Sequence, residues 1–134
     1  MKALLTVVLS VAASTGGAGT RPPAVAGAFY NDDPVRLRAE VEHFLEAGSP
    51  EGGVRALVVP HAGYVFSGAV AGKAFAALDG NAVRRVILLG PSHHRSFRGG
   101  ALPAASLKSF STPLGEVPLD LEAVSYTHLR AHET

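Results

Sequence analysis

The stretches VRALVVPHAGY, residues 54–64, and VRRVILLGPSHH, residues 83–94, decide the fold. Each contains an uninterrupted apolar run, residues 57–59 in the first and residues 86–89 in the second. Continuous runs of valine, leucine and isoleucine are typical of parallel strands that are buried on both faces of a sheet. Each run leads into a turn that carries histidine. The two stretches therefore predict two parallel strands, each with a histidine after its carboxyl end.

The segment between the two runs predicts a helix. Ser67 is a suitable N-cap, and apolar residues recur at helical spacing as far as Leu78, before Asp79-Gly80-Asn81 breaks the pattern. A strand, a helix and a second strand within about 40 residues form a βαβ unit, whose crossover makes the strands parallel. We therefore expect an α/β fold with a parallel sheet that is truncated after its first βαβ portion, because only two parallel strands and two helices are evident.

His61 and His93 follow the two predicted strands. Ligands of open parallel sheets bind at the carboxyl ends of the strands, and imidazole is a common ligand of divalent metal ions. Since neighbouring parallel strands end at the same edge, the sequence predicts that these histidines share one metal ion. The alternative is that each is a structural histidine, hydrogen-bonded at a strand end.

Four neighbours of these histidines are further candidates for the site. Successive residues of an extended turn point in different directions, so His94 is expected to act as an acid/base group or hydrogen-bond donor, not as a ligand. Tyr64 either hydrogen-bonds a ligand or packs with its hydroxyl in water. Ser92 and Gly63 are expected to line the cleft, the serine bonding the backbone of its turn and the glycine allowing a close backbone approach.

Two further elements flank the βαβ unit. Residues 34–47 predict a helix with Asp32 or Asp33 as its cap and Gly48 as a left-handed C-terminal residue. Residues 109–120 predict a hairpin. Its expected buried residues are Phe110, Leu114 and Val117.

Composition excludes several functional classes. Apolar residues make up 47% of the 134 residues, which is too many for a disordered chain. A net charge of +1 and the lack of a basic stripe argue against nucleic-acid binding. The sequence has no cysteine, so neither disulfides nor thiolate ligands are expected from these residues.

Both ends differ from ordinary domain sequence. Residues 1–20 combine Lys2, a short apolar stretch and small residues, which predicts a signal peptide and export to the periplasm or the medium. This stretch is too short for a membrane span. The alternative is a wrongly assigned start codon and a cytoplasmic protein. The tail, residues 124–134, reads VSYTHLRAHET and resembles a translated sequencing adapter, so we set it apart from the domain of residues 21–123.

In chain order the sequence carries the motifs AVAGAFY, PHAGY, GPSHH and TPLGEVPLD. Together these four motifs resemble the Memo family, whose bacterial members are labelled AmmeMemoRadiSam system protein B. The resemblance implies an α/β/α fold similar to that of class III extradiol dioxygenases, in which His61 and His93 are metal ligands. The family's further ligand, usually a cysteine, and an Asp/His cluster would lie downstream of the residues present here.

The family resemblance also implies a function. Iron(II) is the expected metal, with copper and zinc as alternatives, and a dioxygenase-like oxidoreductase acting on a small molecule is the first hypothesis. The second is a non-catalytic, metal-dependent partner of a radical-SAM protein. The third is a metal-dependent hydrolase. No residue selects a substrate.

Overall fold

Two helices, three short strands and a helical turn at residues 121–124 form the regular structure of the computed structural model, which describes residues 19–93, 96 and 103–124. The elements are β1 (Thr20–Arg21), α1 (Pro34–Leu45), α2 (Tyr64–Phe75), β2 (Ser109–Thr112) and β3 (Gly115–Pro118). This mixture of helices and strands confirms the α/β class. The predicted leader up to residue 18, His94 and the tail from residue 125 lie outside the described residues.

The three strands form one mixed sheet in the order β1-β2-β3. β1 pairs in parallel with β2, and β2 pairs antiparallel with β3, with Phe110 opposite Val117. In the turn, Thr112 Oγ1 donates to the Gly115 carbonyl at 2.9 Å and accepts from the Leu114 backbone N–H at 3.1 Å. The predicted hairpin is therefore confirmed.

The prediction that the apolar side chains of the hairpin are buried is wrong. Ser109 is its buried side chain, whereas Phe110 and Leu114 are half-buried and Val117 is exposed. The reason lies in the packing, because α1 and α2 contact each other and neither packs directly on these strands. A sheet face without a packed helix layer leaves its apolar side chains partly in water.

Helix α1 begins as its sequence predicts. Asp33 is the N-cap and accepts a hydrogen bond from the Arg36 backbone N–H at 2.8 Å, with Pro34 in the first turn. The C-terminal prediction is wrong, since the helix ends at Leu45 with Glu46 as its C-cap, and Gly48 lacks the left-handed conformation. Gly48 instead admits the backbone of α2, because a Cβ there would lie 2.8 Å from the carbonyl oxygen of Lys73.

Helix α2 begins three residues before the predicted cap. Gly63 is the N-cap, and Ser67 lies in the first turn, where its hydroxyl donates to the carbonyls of Ala62 at 2.8 Å and Gly63 at 3.3 Å. Serine can satisfy its hydroxyl by bonding back to a preceding carbonyl as well as by capping. The expectation that Ser67 caps α2 is therefore corrected.

Phe44 of α1 packs against α2 at two glycines. A Cβ at Gly68 would lie 2.6 Å from Cζ of the Phe44 ring, and a Cβ at Gly72 would lie 2.7 Å from the Phe44 carbonyl oxygen. The two helices approach this closely because neither glycine has a side chain. Leu37, which is 3% exposed, is the buried apolar side chain among the described residues. None of the described helices is both long enough and apolar enough to cross a membrane.

The two predicted parallel strands are not found. The first apolar run (residues 57–59) and the second apolar run (residues 86–89) belong to no strand. Val58, Ile87, Leu88 and Leu89 are exposed. A two-stranded ribbon is marginal in water, and a parallel pair needs cover on both faces. Since the inner face of α2 is packed on α1 and no described element covers the runs, the expected ladder does not form.

Candidate functional site

His61 and His93 meet although 32 positions of sequence separate them. Their Nε2 atoms lie 3.0 Å apart, and their ring centroids lie 5.2 Å apart at an interplanar angle of 37°. Both residues are exposed. The separation of the ring centroids exceeds that of the nitrogens, so the rings approach each other through Nε2. When both rings are neutral, the Nε2–H of one ring donates a hydrogen bond to the Nε2 lone pair of the other.

A second set of contacts holds the turn that carries His61. The Tyr64 backbone N–H donates to the Phe29 carbonyl at 2.7 Å, and a Cβ at Gly63 would lie 3.4 Å from that same oxygen. The first turn of a helix leaves N–H groups without partners inside the helix. Phe29 supplies one partner here, so the loop before α1 fixes the point where α2 begins, three residues after His61.

The second apolar run is anchored at its start. Arg85 forms an ion pair with Asp120, whose carboxylate also accepts a hydrogen bond from the Ala123 backbone N–H at 2.9 Å. The backbone hydrogen bond from Ala123 is the largest cause that lowers the pKa of Asp120; desolvation opposes it, and the charge and hydrogen bond of Arg85 add to the lowering. The ion pair connects the segment that leads to His93 with the residues that follow β3.

The histidine pair fits a metal ion by its chemistry and its spacing. Two imidazole nitrogens that bind one ion at about 2.1 Å lie about 3.0 Å apart at a right angle and about 3.4 Å apart in a tetrahedron. The observed separation of 3.0 Å equals the lower of these values. With the ring centroids 5.2 Å apart, however, the two Nε2 atoms face each other nearly head-on as in a hydrogen bond, so both exposed rings would have to turn to direct their lone pairs at one ion. Within the described residues, no group of three or more His, Cys, Asp or Glu side chains gathers into a fuller site. The described residues thus bring two imidazole nitrogens together, and a larger ligand set stays a prediction.

Tyr64 lies in an aromatic cluster between the helices. Its ring centroid is 5.7 Å from that of Tyr30 and 6.0 Å from that of Phe44, with the Phe44 ring edge-on. Burial raises the pKa of Tyr64, and the charges of Tyr30 and Glu40 add to this rise. The Tyr64 hydroxyl therefore stays protonated over a wide pH range and remains able to donate a hydrogen bond.

The raised pKa predicts an alkaline loss of stability. The folded chain holds the Tyr64 proton more tightly than the unfolded chain, so this stability is complete below the ordinary tyrosine value of about 10 and is lost as the pH rises above it. We expect the urea midpoint to fall as the pH rises above about 10. Tyr64→Phe is expected to reduce that fall. An equal fall in the variant and in the parent chain would contradict the assignment.

A cavity of about 930 Å³ separates the helix pair from the hairpin. This volume lies in the range of small-molecule sites, roughly 300–1,000 Å³. His61 and Tyr64 are among its lining residues, together with Phe29, Tyr30 and Phe44. The histidine that we predicted as a ligand therefore stands at the wall of a largely apolar cavity, part of whose lining is aromatic. Gly63 faces Phe29 and Ser92 is exposed beside His93, while His94 lies outside the described residues.

Sequence reasoning missed the contribution of the AVAGAFY segment, residues 24–30. Phe29 holds the start of α2 through its carbonyl oxygen, and Tyr30 contacts the ring of Tyr64. A backbone acceptor carries no side-chain signal, so Phe29 could not be assigned by residue type. The signal available was the order of motifs, because this segment accompanies PHAGY in the family resemblance.

Comparison with known proteins gives a consistent result. The model of the Memo-like protein family matches residues 21–132. A MEMO1 family protein of Schizosaccharomyces pombe is 41% identical over 95 residues, which are 71% of this chain and 30% of that protein. A MEMO1 family protein of Sulfolobus acidocaldarius is 40% identical over 136 residues, covering 84% of this chain and 47% of the relative. Protein MEMO1 of Danio rerio is 40% identical over 96 residues, with 71% and 32% covered.

The chain spans less than half the length of these curated relatives. The family model nevertheless covers most of the chain, and the three relatives come from a yeast, an archaeon and a fish. The match includes both histidine-bearing turns, PHAGY and GPSHH, and the AVAGAFY segment that supports the first of them. The chain belongs to the Memo family.

Proposed function

We propose that the protein binds one divalent metal ion, iron(II), through Nε2 of His61 and Nε2 of His93. The observation that carries this proposal is the contact of the two imidazoles at 3.0 Å across 32 positions of sequence. Two exposed neutral rings gain little from a single hydrogen bond in water, since such a bond contributes only about 0.5–1.5 kcal/mol. A cation bound by both nitrogens would explain why the two rings lie together.

The expected chemistry is that of an oxygenase or another oxidoreductase. A bound iron(II) with free coordination positions supplies a place for oxygen and for a chelating substrate. The residues of this chain would bind the ion and orient the ligand. His61 and His93 would hold the ion through Nε2 with their remaining protons on Nδ1, and the raised pKa of Tyr64 keeps a hydrogen-bond donor at the wall of the adjacent cavity.

The aromatic part of the cavity lining supports the proposal that the ligand is aromatic. Phe29, Tyr30 and Phe44 line it together with Tyr64, and flat apolar surfaces of this kind favour a planar ring through stacked and edge-on contacts. His94 follows His93 in the chain and stays our candidate for proton transfer at the bound ligand.

An anaerobic titration of the purified chain with iron(II), followed by separate titrations with copper and zinc ions, tests the metal assignment. We expect one ion per chain, with affinity that falls on acidification because a protonated imidazole has no lone pair at Nε2. Oxygen uptake with a panel of catechols then tests the reaction. Tight binding without uptake would contradict the oxygenase and leave a metal-dependent binding protein, and failure to bind any of the three ions would contradict the site.

A further inference from the structure

The wall of the cavity carries a positive charge on α1. Arg38, Val41 and Leu45 line the cavity from this helix, and their spacing of three and four residues places them on one helix face. Arg38 is half-buried. Among the described residues of the lining, Arg38 alone has a permanent positive charge, because His61 is charged only when it is protonated. A single fixed cation in a largely apolar wall favours a ligand of the opposite charge.

The Arg38 guanidinium has no partner within the described part of the chain. The ion pairs and hydrogen bonds of the described residues do not include it, and Glu42, one helical turn further along, does not pair with it. A guanidinium presents five N–H donors in a fixed planar fork. Since polar groups that leave bulk water are nearly always hydrogen-bonded, these donors are available to a ligand that enters the cavity.

Two carboxylates, Glu42 and Glu46, also border the cavity. Both residues are exposed, and Glu46 faces Nδ1 of His43 at 3.5 Å. Charges in contact with bulk water are screened over a short distance, whereas a half-buried charge beside apolar surface acts in a lower effective dielectric. We therefore expect the attraction of an anion to Arg38 to outweigh its repulsion by the two glutamates.

The aromatic part of the lining determines which anion fits. The rings of Phe44 and Tyr64 meet edge-on with their centroids 6.0 Å apart, and both residues line the cavity. Such rings favour a second planar ring through stacked and edge-on contacts. Burial raises the pKa of Tyr64, so its hydroxyl stays neutral and adds no negative charge that would repel an anion. An anion with a planar aromatic body therefore matches this wall better than an aliphatic one.

We infer that the cavity binds an aromatic carboxylate, with the carboxylate on the Arg38 guanidinium and the ring against the aromatic residues of the lining. This assignment rests on the proposed function, since it gives a chemical class to the aromatic ligand proposed there. A planar guanidinium donates two parallel hydrogen bonds to a carboxylate, which fixes the direction of the bound ring. Recognition by Arg38 needs no metal ion, so it is measurable on the metal-free chain.

Ligand titrations of the whole, metal-free chain, followed by NMR, test the assignment. Benzoate, benzamide and benzylamine carry the same ring, and near neutral pH the first is an anion, the second is neutral and the third is a cation. A chelating resin removes metal beforehand, so that no ion is present for the carboxylate to coordinate. We expect benzoate to bind at least about tenfold more tightly than benzamide, because an ionised acceptor strengthens the hydrogen bonds of the guanidinium.

The three probes separate the possible failures. Benzamide or benzylamine that binds as tightly as benzoate would overturn the preference for a carboxylate and leave the aromatic ligand of the proposed function standing. Absence of binding by all three probes would overturn both the preference and the aromatic ligand.

Substitution of Arg38 gives an independent test. Arg38→Gln removes the charge and keeps a polar side chain, so we expect benzoate affinity to fall about tenfold, to that of benzamide, while benzamide affinity changes less than about twofold. Arg38→Lys keeps the charge without the planar fork and is expected to lie between the two. Unchanged benzoate affinity in Arg38→Gln would overturn the role of Arg38.

Arg36→Gln is the matched control for these variants. Arg36 lies two residues earlier in α1, is exposed and does not line the cavity. Its backbone N–H, not its side chain, bonds the Asp33 carboxylate at 2.8 Å, so the substitution leaves the helix cap in place. We expect parent affinities for all three probes. An equal loss of benzoate affinity in Arg36→Gln would assign the preference to the overall charge of the chain and overturn the specific role of Arg38.

Discussion

Replacing His61 or His93 by alanine is expected to lower metal affinity by more than about 100-fold in each case. Removal of a residue that only supports a ligand typically costs about 10–100-fold, and a lost coordinate bond is expected to exceed that range. Both side chains are exposed, so their truncation leaves the packing of α1 on α2 intact. Equilibrium dialysis with metal analysis, together with circular dichroism to verify the fold, measures the effect.

His43→Ala is the matched control for the two histidine variants. His43 is also an exposed histidine, but its Nδ1 faces Glu46 at 3.5 Å on the surface of α1. We expect this variant to bind metal as the parent chain does. If His61→Ala and His93→Ala also retained full metal content, the two residues would be structural histidines at the ends of the apolar runs.

Gly72→Ala is expected to destabilise the chain by about 2 kcal/mol. The new Cβ would lie 2.7 Å from the Phe44 carbonyl oxygen and 2.8 Å from its carbonyl carbon, and backbone atoms cannot rotate away as a side chain does. Overpacking costs about 1–3 kcal/mol or more, and the better helix propensity of alanine returns up to about 1 kcal/mol. Since each kcal/mol shifts the melting temperature of a small domain by about 4–8 °C, thermal unfolding shows a fall of about ten degrees.

Gly52→Ala provides the comparison for this prediction. No atom lies within 4 Å of a Cβ at Gly52, and its φ angle is not positive. We expect a neutral or slightly stabilising effect, because alanine restricts the unfolded chain at a position that tolerates it. Equal melting temperatures for the two variants would contradict the close approach of α1 and α2 at Gly72.

The helices and the hairpin could be predicted from local signals. Asp33 and Pro34 specify the start of α1 by themselves, and Thr112 with Gly115 specifies the turn between β2 and β3. The start of α2 could not be predicted from Ser67, because the decisive partner is the carbonyl of Phe29, far away in sequence. Capping signals identify residues that are able to cap a helix, and tertiary contacts decide where the helix begins.

The convergence of His61 and His93 could be predicted, because histidines that follow neighbouring strands of a βαβ unit are expected to lie at one sheet edge. His61 and His93 do meet, but the two strands that the prediction used to bring them together are not formed. Apolar periodicity indicates which segments seek burial, whereas a strand also requires a neighbour and cover on its faces. Tyr64 was left open between two roles; its ring packs against Tyr30 and Phe44, and a hydrogen bond from its hydroxyl to a ligand stays a prediction. The identity of the metal and the role of His94 stay predictions.

The exposed second run also has a consequence for self-association. Four consecutive apolar residues with unpaired backbone groups form a template for strands of other copies, which is how ordered aggregates begin. Arg84 precedes this run and Pro91 follows it closely. Stacked copies would place like charges of Arg84 side by side, and Pro91 has no N–H to donate to a neighbouring strand. Salt weakens the repulsion between Arg84 side chains but does not change the effect of Pro91. The chain is therefore expected to remain dispersed longest in dilute buffer and to aggregate sooner as ionic strength rises.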